Sequence, residues 1–174
     1  MTLMQLVVPS RDTVPQYKEL KEEINRRVSD INGKYGTLTW QPIQHFYRSF
    51  PLPLLSAMYK IADVALVSPM RDGMNLVCKE YVASRTDGNG VLILSEMAGA
   101  SRELSDAILI NPNDIWAFAH AINEALSMPE EEQQRRMSAM QATVSRYKIN
   151  FLLNFRVRKR RNLTAWRINY FEST

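Results

Sequence analysis

The chain has 174 residues, of which 45% are hydrophobic and 23% charged, an ordinary composition for one globular domain. No apolar run approaches the roughly 18 residues that a membrane helix needs, and the start lacks the regions of a signal peptide. The single cysteine, Cys78, cannot form an internal disulfide. These features argue against a membrane protein and a disulfide-rich secreted protein, and they predict a cytoplasmic one.

Positive charge is concentrated at the C-terminal end. The whole chain has a net charge of +4, but residues 148–174 alone carry seven basic side chains and one acidic side chain. Such a cluster can bind nucleic acid through its phosphates. We favour a solvated end instead, and therefore expect neither a nucleic-acid nor a membrane partner. Deletion of residues 156–174 tests the nucleic-acid alternative, because salt-dependent affinity for polyanions should then disappear.

The first elements are a strand and an amphipathic helix. Residues 3–9 are an apolar run typical of a buried strand. A helix is predicted from Val14, with Pro15 in its first turn, where a missing N–H does no harm. Its apolar face is formed by Tyr17, Leu20, Ile24, Val28 and Ile31. Gly33 and Gly36 are predicted to end this helix.

The following segments continue the alternation of strands and helices. Residues 41–47 are predicted as a strand, residues 54–62 as a helix, and residues 63–67 as an almost wholly apolar strand. The helix is expected to turn three side chains inward: Leu55, Met58 and Ile61. The later elements are predicted as a loop at 68–73, a helix at 74–85, a turn at 86–90, strands at 91–94 and 107–110, and helices at 114–126 and 129–147.

This alternation predicts an α/β fold with a doubly wound parallel sheet. Ligands in such sheets bind beyond the carboxyl ends of the strands, in the loops that lead into helices. Four loops are candidates by this rule, those after Val8, Tyr47, Val67 and Leu94. The loop after Val67 and the helix start that follows it carry Arg71, Asp72 and Asn75. We therefore expect the functional site at this loop and at the start of the next helix.

The residue types in this loop suit a phosphate-bearing ligand. A helix that begins here offers free N–H groups near residues 75–77 and the positive end of its dipole. Gly73 permits close approach of a ligand to the backbone, and the carboxylates of Asp72 and Glu80 can accept hydrogen bonds from sugar hydroxyls. The alternative from spacing alone is a capped helix, with Asp72 as the cap and Glu80 paired with a surface cation.

Six separated segments resemble the trehalose-6-phosphate synthase family in order and spacing. They are VPSRDTVPQY at 8–17, INGKYGTLTWQPI at 31–43, HFYRS at 45–49, RDGMNLVCKEYVA at 71–83, VLILSEMAGA at 91–100 and ILINPND at 108–114. The resemblance covers residues 3–147, and a chance match over six motifs is improbable. Residues 151–174, with their basic run, do not resemble the end of the family.

The resemblance implies a specific fold and reaction. Family members have two Rossmann domains in the arrangement called GT-B, and this chain looks like the second, donor-binding half. Residues 1–150 would then form a UDP-glucose-binding domain that is incomplete at its N-terminal end, and residues 151–174 a divergent basic tail. Family members transfer glucose from UDP-glucose to glucose 6-phosphate with retention of configuration, without a cofactor or metal.

The resemblance also implies roles for particular residues. Asp72 matches the carboxylate that holds hydroxyls of the donor glucose, and it is the residue assigned to catalysis. Arg11 matches an arginine that reaches the phosphate of the acceptor. The full donor-binding set implied by the family is Arg48, Asp72, Gly73, Met74, Asn75, Leu76, Val77 and Glu80. Within it, Leu76 and Val77 would supply amides to the UDP phosphates, and Glu80 would bind the ribose.

Departures from the family decide what this chain is expected to do alone. The acceptor-binding domain and the first part of the Rossmann domain, with two phosphate-binding cations, are missing, so we expect no turnover from the fragment. The main alternative is a non-catalytic regulatory subunit that pairs with an active synthase. Titration with UDP separates the two, because such a subunit should not bind the nucleotide. The sequence leaves open whether the chain forms a homo-oligomer.

Overall fold

The computed structural model describes residues 1–9 and 14–158, with side chains as far as residue 146. These residues form two compact units, Met1–Phe50 and the described residues from Pro51 onward. All five predicted strands are present and parallel, but their hydrogen bonds join them into two sheets, of two and three strands. Among the described residues, none of the helices combines the length and apolarity that crossing a membrane requires.

The first unit is a β–α–β arrangement. It consists of strand β1 (Leu3–Val7), helix α1 (Pro15–Tyr35) and strand β2 (Ile43–Tyr47). The two strands pair in parallel over their whole length. Pro15 occupies the first turn of α1, as predicted. Helix α1 packs only loosely in this unit, because none of its residues is fully buried.

The end of α1 differs from the prediction at Gly33. The helix continues through Gly33 to Tyr35, and Gly36 alone ends it by donating its N–H to the Asn32 carbonyl at 2.8 Å. The Asn32 side chain also bonds both backbone groups of Ile43, each at 2.9 Å. These bonds hold the last turn of α1 against β2, and they outweigh the modest helix penalty of one glycine.

The second unit contains the three-stranded sheet and most of the helices. Its elements are helix α2 (Leu52–Ile61), strand β3 (Val64–Val67), helix α3 (Leu76–Ser84), strand β4 (Val91–Ser95), a 3₁₀ turn (Gly99–Arg102), strand β5 (Ile108–Ile110), helix α4 (Ile115–Ser127) and helix α5 (Glu130–Arg158). The strand order is β3-β4-β5. The Asp114 carboxylate caps α4 by accepting the Ala117 N–H at 3.0 Å.

Strand β4 is the centre of the core, and every one of its residues is buried. Leu92 and Leu94 point to one face, where they join a cluster with residues of α3 and α5. Val91 and Ile93 point to the other face and pack with residues of α4. Helices therefore cover both faces of this sheet, which is the doubly wound arrangement. Each fully buried side chain of this size contributes about 2 kcal/mol.

One side chain of α2 differs from its predicted position. Ile61 was expected to point inward, but its side chain is 72% exposed. Steps of three residues fall 60° short of a full helical turn, so a row at 55, 58 and 61 rotates away from the core.

The assignment of residues 1–150 to one domain and 151–174 to a tail stays a prediction. Helix α5 runs across residue 150, and residues 159–174 lie outside the described part.

Candidate functional site

The loop between β3 and α3 lies at the carboxyl end of β3 and is fixed by the turn after β4. The Gly99 N–H donates to the Asp72 carbonyl at 2.9 Å, and the Ala100 N–H donates to the Met74 carbonyl at 2.9 Å. Asp72 and Ala98 also form an isolated parallel bridge. Backbone bonds to a buried turn therefore set the course of the candidate loop, whatever ligand is present.

Gly99 is required by this close approach. A Cβ atom at Gly99 would collide with the backbone of Gly73. The contact assigns a packing role to Gly99, because the glycine lets two backbones meet.

Helix α3 begins at Leu76, two residues later than predicted, and Asn75 rather than Asp72 is its N-cap. The Asn75 side chain accepts the Cys78 N–H at 3.1 Å. Asp72 lies in the loop before the helix, where its two oxygens accept the Met74 N–H at 3.0 Å and the Asn75 side-chain N–H at 2.9 Å. Asp72 and Asn75 thus form a linked pair that shapes the start of the helix.

The first turn of α3 leaves two backbone donors for a ligand. The first N–H groups of any helix have no partner within it, and here the Cys78 amide is taken by Asn75. Among the described residues, the amides of Leu76 and Val77 have no acceptor. These are the two amides that the resemblance assigns to the UDP phosphates.

Glu80 lies one turn further along α3, on a groove between α2 and α3. The groove has a volume of about 340 Å³ and is lined by Leu52, Ser56, Tyr59, Lys60, Glu80, Ala83, Ser84 and Thr86. The Tyr59 hydroxyl donates to Oε2 of Glu80 at 3.3 Å. Burial raises the pKa of the Glu80 carboxyl, and this hydrogen bond opposes the rise. Glu80 therefore bonds a neighbouring helix, and among the described residues it has no cation partner of the kind that the alternative required.

Two neighbours of the site on α3 are structural. Cys78 is fully buried, and burial raises the pKa of its thiol to about 12, which removes the reactivity that a helix start could have given it. Lys79 forms an ion pair with Glu103 at 2.7 Å, with 15% and 25% of their side chains exposed. This pair joins α3 to the segment after the 3₁₀ turn. No spacing along the chain indicates this ion pair.

The structure does not test the roles that the resemblance implies for the two arginines. Arg48 belongs to the first unit, where its exposed guanidinium lies 4.8 Å from the centre of the Phe50 ring and 5.6 Å from that of Phe46. Arg11 lies outside the described residues. The donor-pocket role of Arg48 and the acceptor role of Arg11 stay predictions.

Two further side chains were missed by sequence reasoning. Tyr59 contacts Glu80, but α2 and α3 are separated by a strand in the chain, and nothing in the spacing pairs them. Arg85 is only 4% exposed and donates to the carbonyls of Lys60 and Ala62 at 2.6 and 2.9 Å. An arginine in a helical pattern is normally predicted to lie on the surface, so the sequence does not indicate that Arg85 is buried.

The fold and the candidate site together indicate a class of ligand-binding protein. A doubly wound parallel sheet, with free helix amides and carboxylates near the carboxyl end of a strand, is characteristic of proteins that bind nucleotides or nucleotide sugars. The family description "Glycosyltransferase family 20" matches residues 1–158, and the chain belongs to this family.

Individual relatives agree with this assignment. The bifunctional trehalose-6-phosphate synthase/phosphatase of Thermoproteus tenax is 61% identical over 136 residues, which are 78% of this chain and 19% of the relative. A solved E. coli structure bound with UDP-2-fluoro glucose has a TM-score of 0.84 and 35% identity, and covers 94% of this chain and 36% of that one. A trehalose-phosphate synthase from Burkholderia xenovorans in complex with glucose-6-phosphate has a TM-score of 0.79 and 36% identity, over 89% and 35%.

These shares fix what the match covers. The chain spans about a fifth of the Thermoproteus tenax relative and about a third of the solved structures. The fold and the family are thereby established for residues 1–158. The activity and substrates of the longer relatives belong to those proteins.

Proposed function

We propose that this chain is the donor-binding half of a UDP-forming α,α-trehalose-phosphate synthase. In this role it binds UDP-glucose, and the complete enzyme transfers the glucose to glucose 6-phosphate with retention of configuration and without a metal. Family membership supports the proposal, as do related structures described with UDP-2-fluoro glucose and with glucose-6-phosphate. The acceptor domain would come from elsewhere, as would any partner subunit.

The observation that carries the proposal is the start of α3. The amides of Leu76 and Val77 have no acceptor among the described residues, and carboxylates lie on both sides of them in the sequence, at Asp72 and Glu80. Two amides at the positive end of a helix stabilise the charge that develops on a leaving diphosphate. The carboxylates then bind the two sugars of the donor, glucose at Asp72 and ribose at Glu80.

Asp72 can serve the donor sugar while it holds the loop. A carboxylate has about four lone-pair sites, and Asp72 uses two of them for Met74 and Asn75. The remaining sites can accept hydroxyls of the glucose. Asp72 would then orient the sugar above the diphosphate, so that catalysis arises from positioning and electrostatics.

Calorimetric titration of the chain with UDP tests the proposal. We expect UDP to bind and uridine, which lacks the diphosphate, to bind at least about tenfold more weakly, since hydrogen bonds to charged groups contribute 1.5–3 kcal/mol. Glu80→Ala should weaken UDP binding by a similar factor. Glu124→Ala, which removes an exposed carboxylate on α4, is the matched control and should have no effect.

Failure to bind UDP would contradict the donor-site proposal. The chain would then be better explained as the non-catalytic subunit considered above, which keeps the fold without the ligand. Equal binding of UDP and uridine would separately contradict the assignment of the α3 amides to the diphosphate.

A further inference from the structure

Glu80 is held from a second helix in the groove between α2 and α3. Its Oε2 atom accepts the Tyr59 hydroxyl at 3.3 Å, and Tyr59 and Glu80 both line the groove. Among the described residues, Oε1 of Glu80 has no hydrogen-bond donor. One oxygen of the carboxylate is therefore anchored, and the other is left for a ligand.

The Tyr59 ring is itself held in place. It packs edge-on against the ring of Tyr81, with 6.3 Å between centroids and an angle of 88°. Tyr81 is fully buried, and its hydroxyl donates to the Ala62 carbonyl at 3.2 Å. A rigid support of this kind reduces the rotamer freedom that Glu80 would lose on binding a ligand.

We propose that Tyr59 is a positioning residue for nucleoside recognition: its hydroxyl fixes one oxygen of Glu80 so that the other accepts the hydroxyls of the ribose. The inference rests on the proposed donor-site function and extends it to a residue of α2. The separation of 3.3 Å is long for a hydroxyl–carboxylate bond, and it shortens when the ribose settles on Glu80, as hydrogen bonds at binding sites do.

The first test is a titration of Glu80 in the free chain by carbon-13 NMR of the labelled carboxyl groups. Burial raises the pKa of Glu80, and the Tyr59 hydroxyl lowers it by favouring the charged form. Tyr59→Phe keeps the ring and removes this hydrogen bond, so the pKa of Glu80 should rise further. Lys60, the other ionisable groove residue of α2, is unchanged in the variant.

The second test compares the affinities of UDP and of a dideoxy analogue for the Tyr59→Phe variant and for the unsubstituted 174-residue chain. Tyr59→Phe should weaken UDP binding by about 3- to 10-fold, the loss expected for one hydrogen bond. The dideoxy analogue of UDP, which lacks both the 2′- and 3′-hydroxyls, should bind the variant and the unsubstituted chain equally. A purely structural role for Tyr59 would weaken both ligands alike.

Tyr81→Phe is the matched control. It removes a hydroxyl from the partner ring that donates to a backbone carbonyl and not to Glu80. It should lower the thermal midpoint without changing UDP affinity or the pKa of Glu80.

The outcomes separate the two proposals. Unchanged UDP binding by Tyr59→Phe, or an equal loss with the dideoxy analogue, overturns the role of Tyr59 and leaves the donor site intact. Absence of UDP binding by the unsubstituted chain overturns the donor site, and the nucleoside role of Tyr59 with it.

Discussion

Asn75 adopts a backbone conformation that few residues tolerate. Its φ of 68° lies in the left-handed region, and among the described residues no other non-glycine has a positive φ. Such a residue costs of order 1–3 kcal/mol and persists only where its surroundings hold it. The Asp72 carboxylate and the Cys78 amide hold the side chain of Asn75 from either end. This arrangement turns the chain abruptly into α3 and exposes the first amides.

Substitution of Asn75 separates the backbone requirement from the cap. Asn75→Ala should cost about 1–2 kcal/mol of unfolding free energy, since it loses the cap and the side-chain hydrogen bonds that let asparagine tolerate this φ. Asn75→Gly should cost less than about 1 kcal/mol, because glycine accepts this φ and is a tolerable cap. Urea unfolding followed by circular dichroism measures both. Equal stabilities would show that the backbone at Asn75 is not constrained.

Helices α2 and α3 are joined at their ends by Arg85. Its guanidinium donates to carbonyls at the end of α2, to the Asn89 carbonyl at 2.7 Å, and to Asp87 at 3.0 Å. A cation at a helix C-terminus interacts favourably with the dipole. Gly90 leaves room for this guanidinium, because a Cβ there would meet both Tyr81 and Arg85. The groove that carries Glu80 is bordered by the two helices that Arg85 ties together.

A pair of glycines in the same turn tests this packing. Gly88 and Gly90 both have positive φ, but a Cβ at Gly88 would meet only open space. Gly88→Ala should therefore cost about 1–2 kcal/mol, the backbone penalty alone. Gly90→Ala should cost a further 1–3 kcal/mol or so, because it overpacks a buried contact. Thermal or urea unfolding of the two variants decides the matter; a smaller loss for Gly90→Ala would disprove the packing argument.

At the scale of the molecule, the chain contains two compact units, each built on its own parallel sheet. The candidate donor groups from Asp72 to Glu80 all lie in the second unit. That unit has a core on both faces of β4, whereas α1 in the first unit buries no residue fully. The second unit is therefore the better supported of the two, and it holds the residues to which we assign the nucleotide.

We expect no synthesis of trehalose 6-phosphate by the purified 174-residue chain. It spans only about a third of the solved synthases, and transfer requires that the acceptor hydroxyl be oriented against the donor sugar. The measurement is mass-spectrometric detection of product after incubation with UDP-glucose and glucose 6-phosphate. A full-length family member is the positive control. Product above the background would contradict the expectation.

The order and type of the elements were accessible from the sequence, whereas several details of the site were not. The apolar runs predicted all five strands, and the helical spacing predicted the helices between them. The predicted start of α3 is two residues early, because the true start depends on the φ of Asn75 and on the contact between Gly73 and Gly99, which are 26 residues apart in the chain. The inward position predicted for Ile61 was wrong for a local reason, since residues spaced by three along a helix rotate away from a single face.

The sequence by itself determined the parallel α/β fold, the family, and the segment that carries the candidate site. These follow from local periodicity and from motifs that are continuous in the chain. Only the tertiary structure decided that the strands form two sheets, that Asp72 shapes the loop through Asn75, and that Tyr59 anchors Glu80. The physical reason is that hydrogen bonds and close packing join residues that are distant in sequence, and no local pattern encodes which partners meet.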